Sequence, residues 1–165
     1  MSTANPLVFP ELLCLNDFNG NFTEYFKAVY AVFEKHFITS QPRYEGTIVS
    51  APRYPLVDGI HRTFCHITHQ GEDEKNREPD LRRMERIPYP RFIIENQPHN
   101  ELKVWIKSVG SDERIHILNT NEKYIVVLTI RKGYLLLWTA FYIEQNHTLR
   151  KKLKEYEAYK KAKTA

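Results

Sequence analysis

Between residues 91 and 143 the chain is a succession of short runs rich in Val, Ile, Leu, Trp and Tyr: RFIIEN, ELKVWIKS, RIHILN, KYIVVLTIRK and YLLLWTAFYI. Side chains of these types suit the pleated, half-buried surface of a sheet, and the turn residues between the runs mark where each strand stops. Gly110-Ser111-Asp112 separates the second run from the third, and Asn119-Thr120-Asn121 the third from the fourth. Arg131-Lys132-Gly133 joins the last two as a tight hairpin, with glycine relieving the steric cost of a positive φ. Connections this short imply antiparallel neighbours, because a parallel pair needs a crossover of a dozen or more residues. The segment predicts an antiparallel meander.

Helical spacing lies on either side of it. Asn21 followed by Glu24 has the spacing of a capping box, and Phe22, Phe26, Val29, Tyr30, Phe33 and Phe37 then recur along one helical face. Residues 22–38 should form an amphipathic helix whose aromatics are core. Pro42, Pro52 and Pro55 leave room for a short strand around residues 44–50. Asp58-Gly59 marks a turn, and residues 60–66 read as a strand with Arg62, Phe64 and His66 on one face. Residues 70–78 are polar and read as a loop. A short helix over 79–86 starts at Pro79, brings Arg82, Arg83 and Arg86 together, and stops at Pro88 and Pro90. A last helix runs from about residue 146 to 161, with Leu149, Leu153 and Tyr156 facing inward. The reading is an α+β fold: N-terminal helices packed on a mainly antiparallel sheet of four to six strands, with a C-terminal helix. One domain is expected over residues 1–165, in which 1–55 elaborate a core at 56–165.

The 165 residues can bury a sizeable core without covalent staples. Cys14 and Cys65 form no spaced framework, the first residues lack a signal-peptide pattern, and no run approaches a membrane span, so a cytoplasmic protein without membrane attachment is expected. The net charge of +4 is unevenly spread: residues 1–60 carry four Lys/Arg against six Asp/Glu, and residues 146–165 carry seven Lys/Arg against two Glu. Basic surface of this kind attracts nucleic acid by counterion release, although a solvated helix face accounts for a charged tail equally well.

The chemistry-bearing residues concentrate in HRTFCHITHQGEDEKNREPDLRRMERIPYPR, residues 61–91. Histidine exchanges protons near neutral pH, and the arginine fork matches phosphate oxygens. RNA cleavage without a metal needs a base for the 2′-hydroxyl proton, an acid for the leaving 5′-oxygen and positive donors on the phosphorane. His66 and His69 could carry the protons, Arg83 and Arg86 the phosphate, and Thr139 and Tyr142 could add hydroxyl donors. Arg62, Arg77, Arg82, Arg91 and Lys132 are candidate substrate contacts. In a regular strand Thr139 and Tyr142 lie on opposite faces, so both reach one site only at its edge or across a bulge. The bland alternatives are ordinary: histidines as structural hydrogen-bonding groups, and arginines neutralised by Glu78, Asp80 and Glu85. A metal site built from Cys65, His66, His69 and Glu72 or Glu74 fits known ligand spacings poorly. Neither GxGxxG nor GxxxxGK[ST] occurs, which disfavours kinases, NTPases and dehydrogenases.

The combination of FCHITH, REPDLRRMERIPYPR and the strand pair YIVVLTIRKGYLLLWTAFYI resembles prophage-borne nucleases of the barnase–EndoU–colicin–RelE-like superfamily over about residues 60–160. The resemblance implies a small antiparallel sheet with helices packed before it, and metal-independent cutting of RNA through a cyclic phosphate, with no cofactor. It places His66 or His69 in the acid–base role, Arg82, Arg83 or Arg86 on the phosphate, and Thr139 or Tyr142 beside it. It also implies an antitoxin or immunity partner, since several members are toxins. The competing expectations are a non-catalytic RNA- or DNA-binding module and a phage-encoded interaction protein.

Overall fold

The structure, a computed structural model, describes residues 5–52, 56–57, 59–71 and 77–164. A 3-10 turn (Leu15–Phe18) leads into α1 (Phe22–Phe33), whose first turn is closed by the Asn21 Oδ1 accepting from the Glu24 N–H at 3.2 Å. The helix continues through a π-helical segment (Glu34–Ile38), so the predicted span over 22–38 is filled. The tertiary contacts bury Tyr25, Val29, Phe33 and Phe37 completely and leave Phe22 exposed. Two short strands follow, β1 (Arg43–Tyr44) and β2 (Thr47–Ser50), then the pair β3 (Leu56–Val57) and β4 (Ile60–His61). Asp58, in the expected turn, lies outside the described residues.

Residues 60–66 do not continue as a strand. After β4 the chain coils into α2 (Arg62–Thr68), in which every residue from Thr63 to Thr68 is buried. A short segment buried all round has no polar alternation, and periodicity then cannot tell helix from strand. Burial between neighbouring elements overrides the strand preference of its Ile, Thr and Phe. A two-residue ladder follows, β5 (His69–Gln70) against β6 (Glu78–Pro79), so Pro79 sits in an edge ladder and not in a helix. Asp80 caps α3 (Leu81–Glu85), accepting from the N–H groups of Arg82 and Arg83 at 2.9 and 3.3 Å. The run RFIIEN is likewise helical: α4 (Tyr89–Glu95) begins with Pro90 in its first turn. A proline fits the first turn of a helix, because its fixed φ and missing N–H cost nothing there.

The meander is present as β7 (Lys103–Val109), β8 (Asp112–Asn119), β9 (Tyr124–Arg131) and β10 (Tyr134–Tyr142), all antiparallel. Gly133 turns the β9–β10 hairpin at φ +87°. β2 adds alongside β10 in parallel, giving a six-stranded sheet in the order β1-β2-β10-β9-β8-β7. One face buries the large core shared with α1, α2, α3 and α4. The other face buries Trp105, Leu118, Ile125, Val127 and Ile143 under Leu149, Leu153, Tyr156 and Tyr159 of α5 (Asn146–Thr164). Among the described residues no helix is long and apolar enough to cross a membrane.

A bulge in β10 positions the site. Leu137 pairs with Leu128 and Thr139 with Val127, so Trp138 is the extra residue. A bulge reverses the phase of alternation. Leu135 and Leu137 face the large core before it and Ala140 and Tyr142 after it, while Phe141 faces α5. β2 pairs with β10 only at Leu135 and Leu136, and α2 meets β10 at Trp138 and Thr139.

Candidate functional site

The end of α2, the β5–β6 ladder, the start of α3 and the second half of β10 enclose a cavity of about 230 Å³. His66, His69, Gln70, Gly71, Arg77, Arg83, Thr139 and Phe141 line it. The convergence depends on α2 being a helix, which ends with His69 at the cavity and Thr68 sealed behind it. The ladder register, His69 opposite Pro79 and Gln70 opposite Glu78, folds the chain back and returns Arg77 to the same wall. Gly71 makes that return possible. Its φ is +129°, and a Cβ there would stand 3.4 Å from the Arg77 Cα.

His69 is held at three points. Its N–H donates to the Cys65 carbonyl, and its own carbonyl accepts from the Arg83 Nη1 at 2.7 Å. Its ring Nδ1 lies 2.8 Å from the Thr68 hydroxyl, which itself donates to the Phe64 carbonyl at 2.7 Å. A hydroxyl has one proton to give, so Thr68 must accept from the His69 ring. That fixes the proton of the neutral imidazole on Nδ1 and leaves the lone pair on Nε2. Burial, followed by the charges of Arg77 and Arg83, lowers the His69 pKa and favours this neutral form.

His66 uses the opposite wall. Its Nδ1 donates to the Trp138 carbonyl at 3.4 Å, and its backbone carbonyl accepts from the Thr139 hydroxyl at 3.3 Å. Thr139 therefore reaches the cavity wall but gives its proton to α2, a positioning contact and not the hydroxyl donation to ligand that the sequence suggested. Both imidazoles are largely buried, at 9% and 8% exposure, and both lie on the cavity wall and not sealed in the apolar core.

The two guanidiniums differ. Arg83 is engaged: besides the His69 carbonyl it faces Asp80 at 3.7 Å and lies 5.2 Å over the Phe141 ring. Burial lowers its pKa, with the Asp80 carboxylate opposing the shift. Arg77 makes no hydrogen bond or ion pair among the described residues, and its Nε is buried without a partner. A guanidinium on a cavity wall, with a buried Nε and no anionic partner among the described residues, is suited to an anionic ligand.

A second hollow of about 280 Å³ shares Arg83 and Phe141 with the first and extends past Asp80, Tyr142, Glu144, Gln145 and Thr148. Tyr142 thus reaches the edge of the site at the strand end, and the bulge, which precedes Thr139, does not turn it into the first cavity. Arg86 stands 4.2 Å over the Tyr142 ring and gives its Nη1 to the Arg82 carbonyl, while Arg82 pairs with Glu144 at 2.8 Å. These two flank the second hollow and line neither cavity.

Three candidates sit elsewhere. Arg91 donates to the His36 carbonyl and the Ser40 hydroxyl and pairs with Glu95, tying α4 to the end of the first helix. Lys132 is exposed at the β9–β10 turn, away from the cavity. Arg62 opens α2 at the end opposite His69, one turn before His66, and is not among the residues that line the cavity. Among the described residues no group of three or more His, Cys, Asp or Glu could hold a metal ion. Glu72 and Glu74 lie outside those residues.

Sequence reasoning passed over Thr68 and Trp138. Thr68 carried a signal of sorts, since a threonine in a helix often bonds back to the carbonyl four residues earlier, but only with the helix assigned does it orient a histidine. No protein-family model matches the chain, and no curated protein or solved structure shows significant similarity to it.

Proposed function

We propose that this protein is an endoribonuclease that cleaves RNA by attack of the 2′-hydroxyl on the adjacent phosphate, on a fold of the barnase–EndoU–colicin–RelE-like kind. The observation that carries the reading is the union around one cavity of two imidazoles and two guanidiniums, one of them without a hydrogen-bond or ion-pair partner among the described residues. In this reaction the His69 Nε2 takes the 2′-hydroxyl proton, because the Thr68 contact holds the ring in the tautomer with its lone pair there. The 2′-oxygen forms its bond to phosphorus as the bond to the 5′-oxygen breaks. His66, in its imidazolium form with the Nδ1 proton held on the Trp138 carbonyl, gives its Nε2 proton to that 5′-oxygen, and the products end in a 2′,3′-cyclic phosphate and a free 5′-hydroxyl. Arg77 and Arg83 stabilise the charge on the phosphorane.

Incubation of purified protein with end-labelled RNA in EDTA tests the reading. Cyclic phosphate ends that vanish in His69→Ala support it; intact RNA, or cutting at the parental rate by His69→Ala, refutes it. A second reading, a phosphate-binding module without cleavage, is favoured by the burial of both imidazoles and the engagement of their Nδ1 atoms by the Trp138 carbonyl and the Thr68 hydroxyl. Retention of RNA with no product selects it.

A further inference from the structure

We propose that Trp138 is a stacking surface for a nucleobase flanking the cavity, so that the substrate is an unpaired strand and not a duplex. The inference rests on the phosphodiester reading of the cavity. Trp138 is the extra residue of the β10 bulge, and its indole is 37% exposed in a strand whose neighbours Leu137 and Ala140 are buried. Bulges re-aim a side chain beside a site. This one turns the indole outward while its carbonyl takes the His66 Nδ1.

The indole is fixed before any ligand arrives. Arg114 lies 4.3 Å from the ring centroid and is itself directed by Asp112 at 3.6 Å, and the His66 ring meets the indole edge-on at 5.5 Å. An aromatic surface held in place loses little entropy on binding. Arg114 also supplies positive charge where the next phosphate of a strand would pass, and its Nε is buried without a partner. The order across the surface is therefore Trp138, His66, the cavity, then Phe141; Arg114 and Arg83 lie over one face of the indole and of the Phe141 ring, and the exposed part of the indole is the surface offered to a base. Bases inside a duplex are already stacked and cannot reach such a surface, whereas a single strand can splay them out.

Tryptophan emission reads this directly. The protein has two tryptophans, and Trp105 is 1% exposed beneath α5, so Trp138 is the one that a ligand can quench. The probes are a single-stranded deoxytetranucleotide, which lacks the 2′-hydroxyl and cannot be cut by this route, the same sequence as a duplex, and inorganic phosphate. The tetranucleotide should quench emission, the duplex should bind more weakly, and phosphate should leave emission unchanged. Trp138→Ala should weaken tetranucleotide binding by about five- to a hundredfold, and Trp138→Phe should restore most of it. Toward RNA, Trp138→Ala should raise KM and leave kcat within about twofold, because the backbone carbonyl on His66 remains. The buried emission of Trp105 in Trp138→Ala shows that the fold is kept. Equal tetranucleotide affinity in Trp138→Ala and parent, or equal binding of strand and duplex, overturns the stacking role and leaves the ribonuclease reading standing. Trp138-dependent binding without cleavage does the reverse, and no binding overturns both.

Discussion

Acidification should unfold this protein earlier than its carboxylates alone would cause, and His116 is the reason. The ring lies in β8 with 4% exposure, stacked on Trp105 at 5.2 Å and 23° between planes, with its Nδ1 directed at the Arg114 carbonyl at 3.3 Å. Burial, followed by the charge of Lys152 on α5, pushes its pKa down to about 4 from the ordinary 6.5. Lys107 lowers it further, while Glu155 and the carbonyl contact oppose the shift. Because the folded value lies below the unfolded one, the unfolded chain takes up the proton first as pH falls. The contribution is whole above pH 6.5 and is lost as pH falls through about 4. At 1.36 kcal/mol per pKa unit, the drop from 6.5 to about 4 amounts to about 3 kcal/mol. Urea unfolding followed by Trp105 emission, at intervals between pH 7.5 and 4, measures it. His116→Phe, which keeps a ring against the indole, should flatten the pH dependence of unfolding free energy by about that amount. An unchanged slope in His116→Phe would refute the reasoning, since another group would then be carrying the proton linkage.

Thr68→Val should lower kcat about tenfold or more with little change in KM, by freeing the His69 tautomer, and Thr68→Ser should restore it; a KM effect alone would make Thr68 merely structural. The acid limb of the kcat/KM–pH profile should fall below the ordinary histidine value, because burial, Arg77 and Arg83 favour neutral His69; a limb above that value contradicts the assignment. Arg77→Ala should raise KM and reduce the salt dependence of RNA binding while leaving thermal stability unchanged, since its guanidinium makes no hydrogen bond or ion pair among the described residues. Arg91→Ala should do the opposite, costing about 1–2 kcal/mol of stability with cleavage intact.

The sequence by itself determined the elements that carry a local signature. The β-branched and aromatic runs of β7 to β10 with turn residues between them, the Asn21 cap before the first helix, and the leucine and tyrosine stripe of α5 are local patterns, and each element formed where its pattern lay. Residues 62–68 and 89–95 carry no such signature, being almost wholly buried or opened by a proline, and there the competing neighbours decided for helix. The same division runs through the candidate site. Histidine and arginine in one short segment advertised phosphate chemistry, but which of them meet is a long-range matter. Arg77 and Arg83 reach the wall through the β5–β6 register and the Asp80 cap, while Arg62 stops short of it at the start of α2 and Arg91 is turned to His36 and Ser40. Thr68 and Trp138 gain their significance from a helix turn and a bulge, geometries that pattern alone does not encode. Hydrophobic contrast is written residue by residue, whereas convergence is set by how the packed elements share one core.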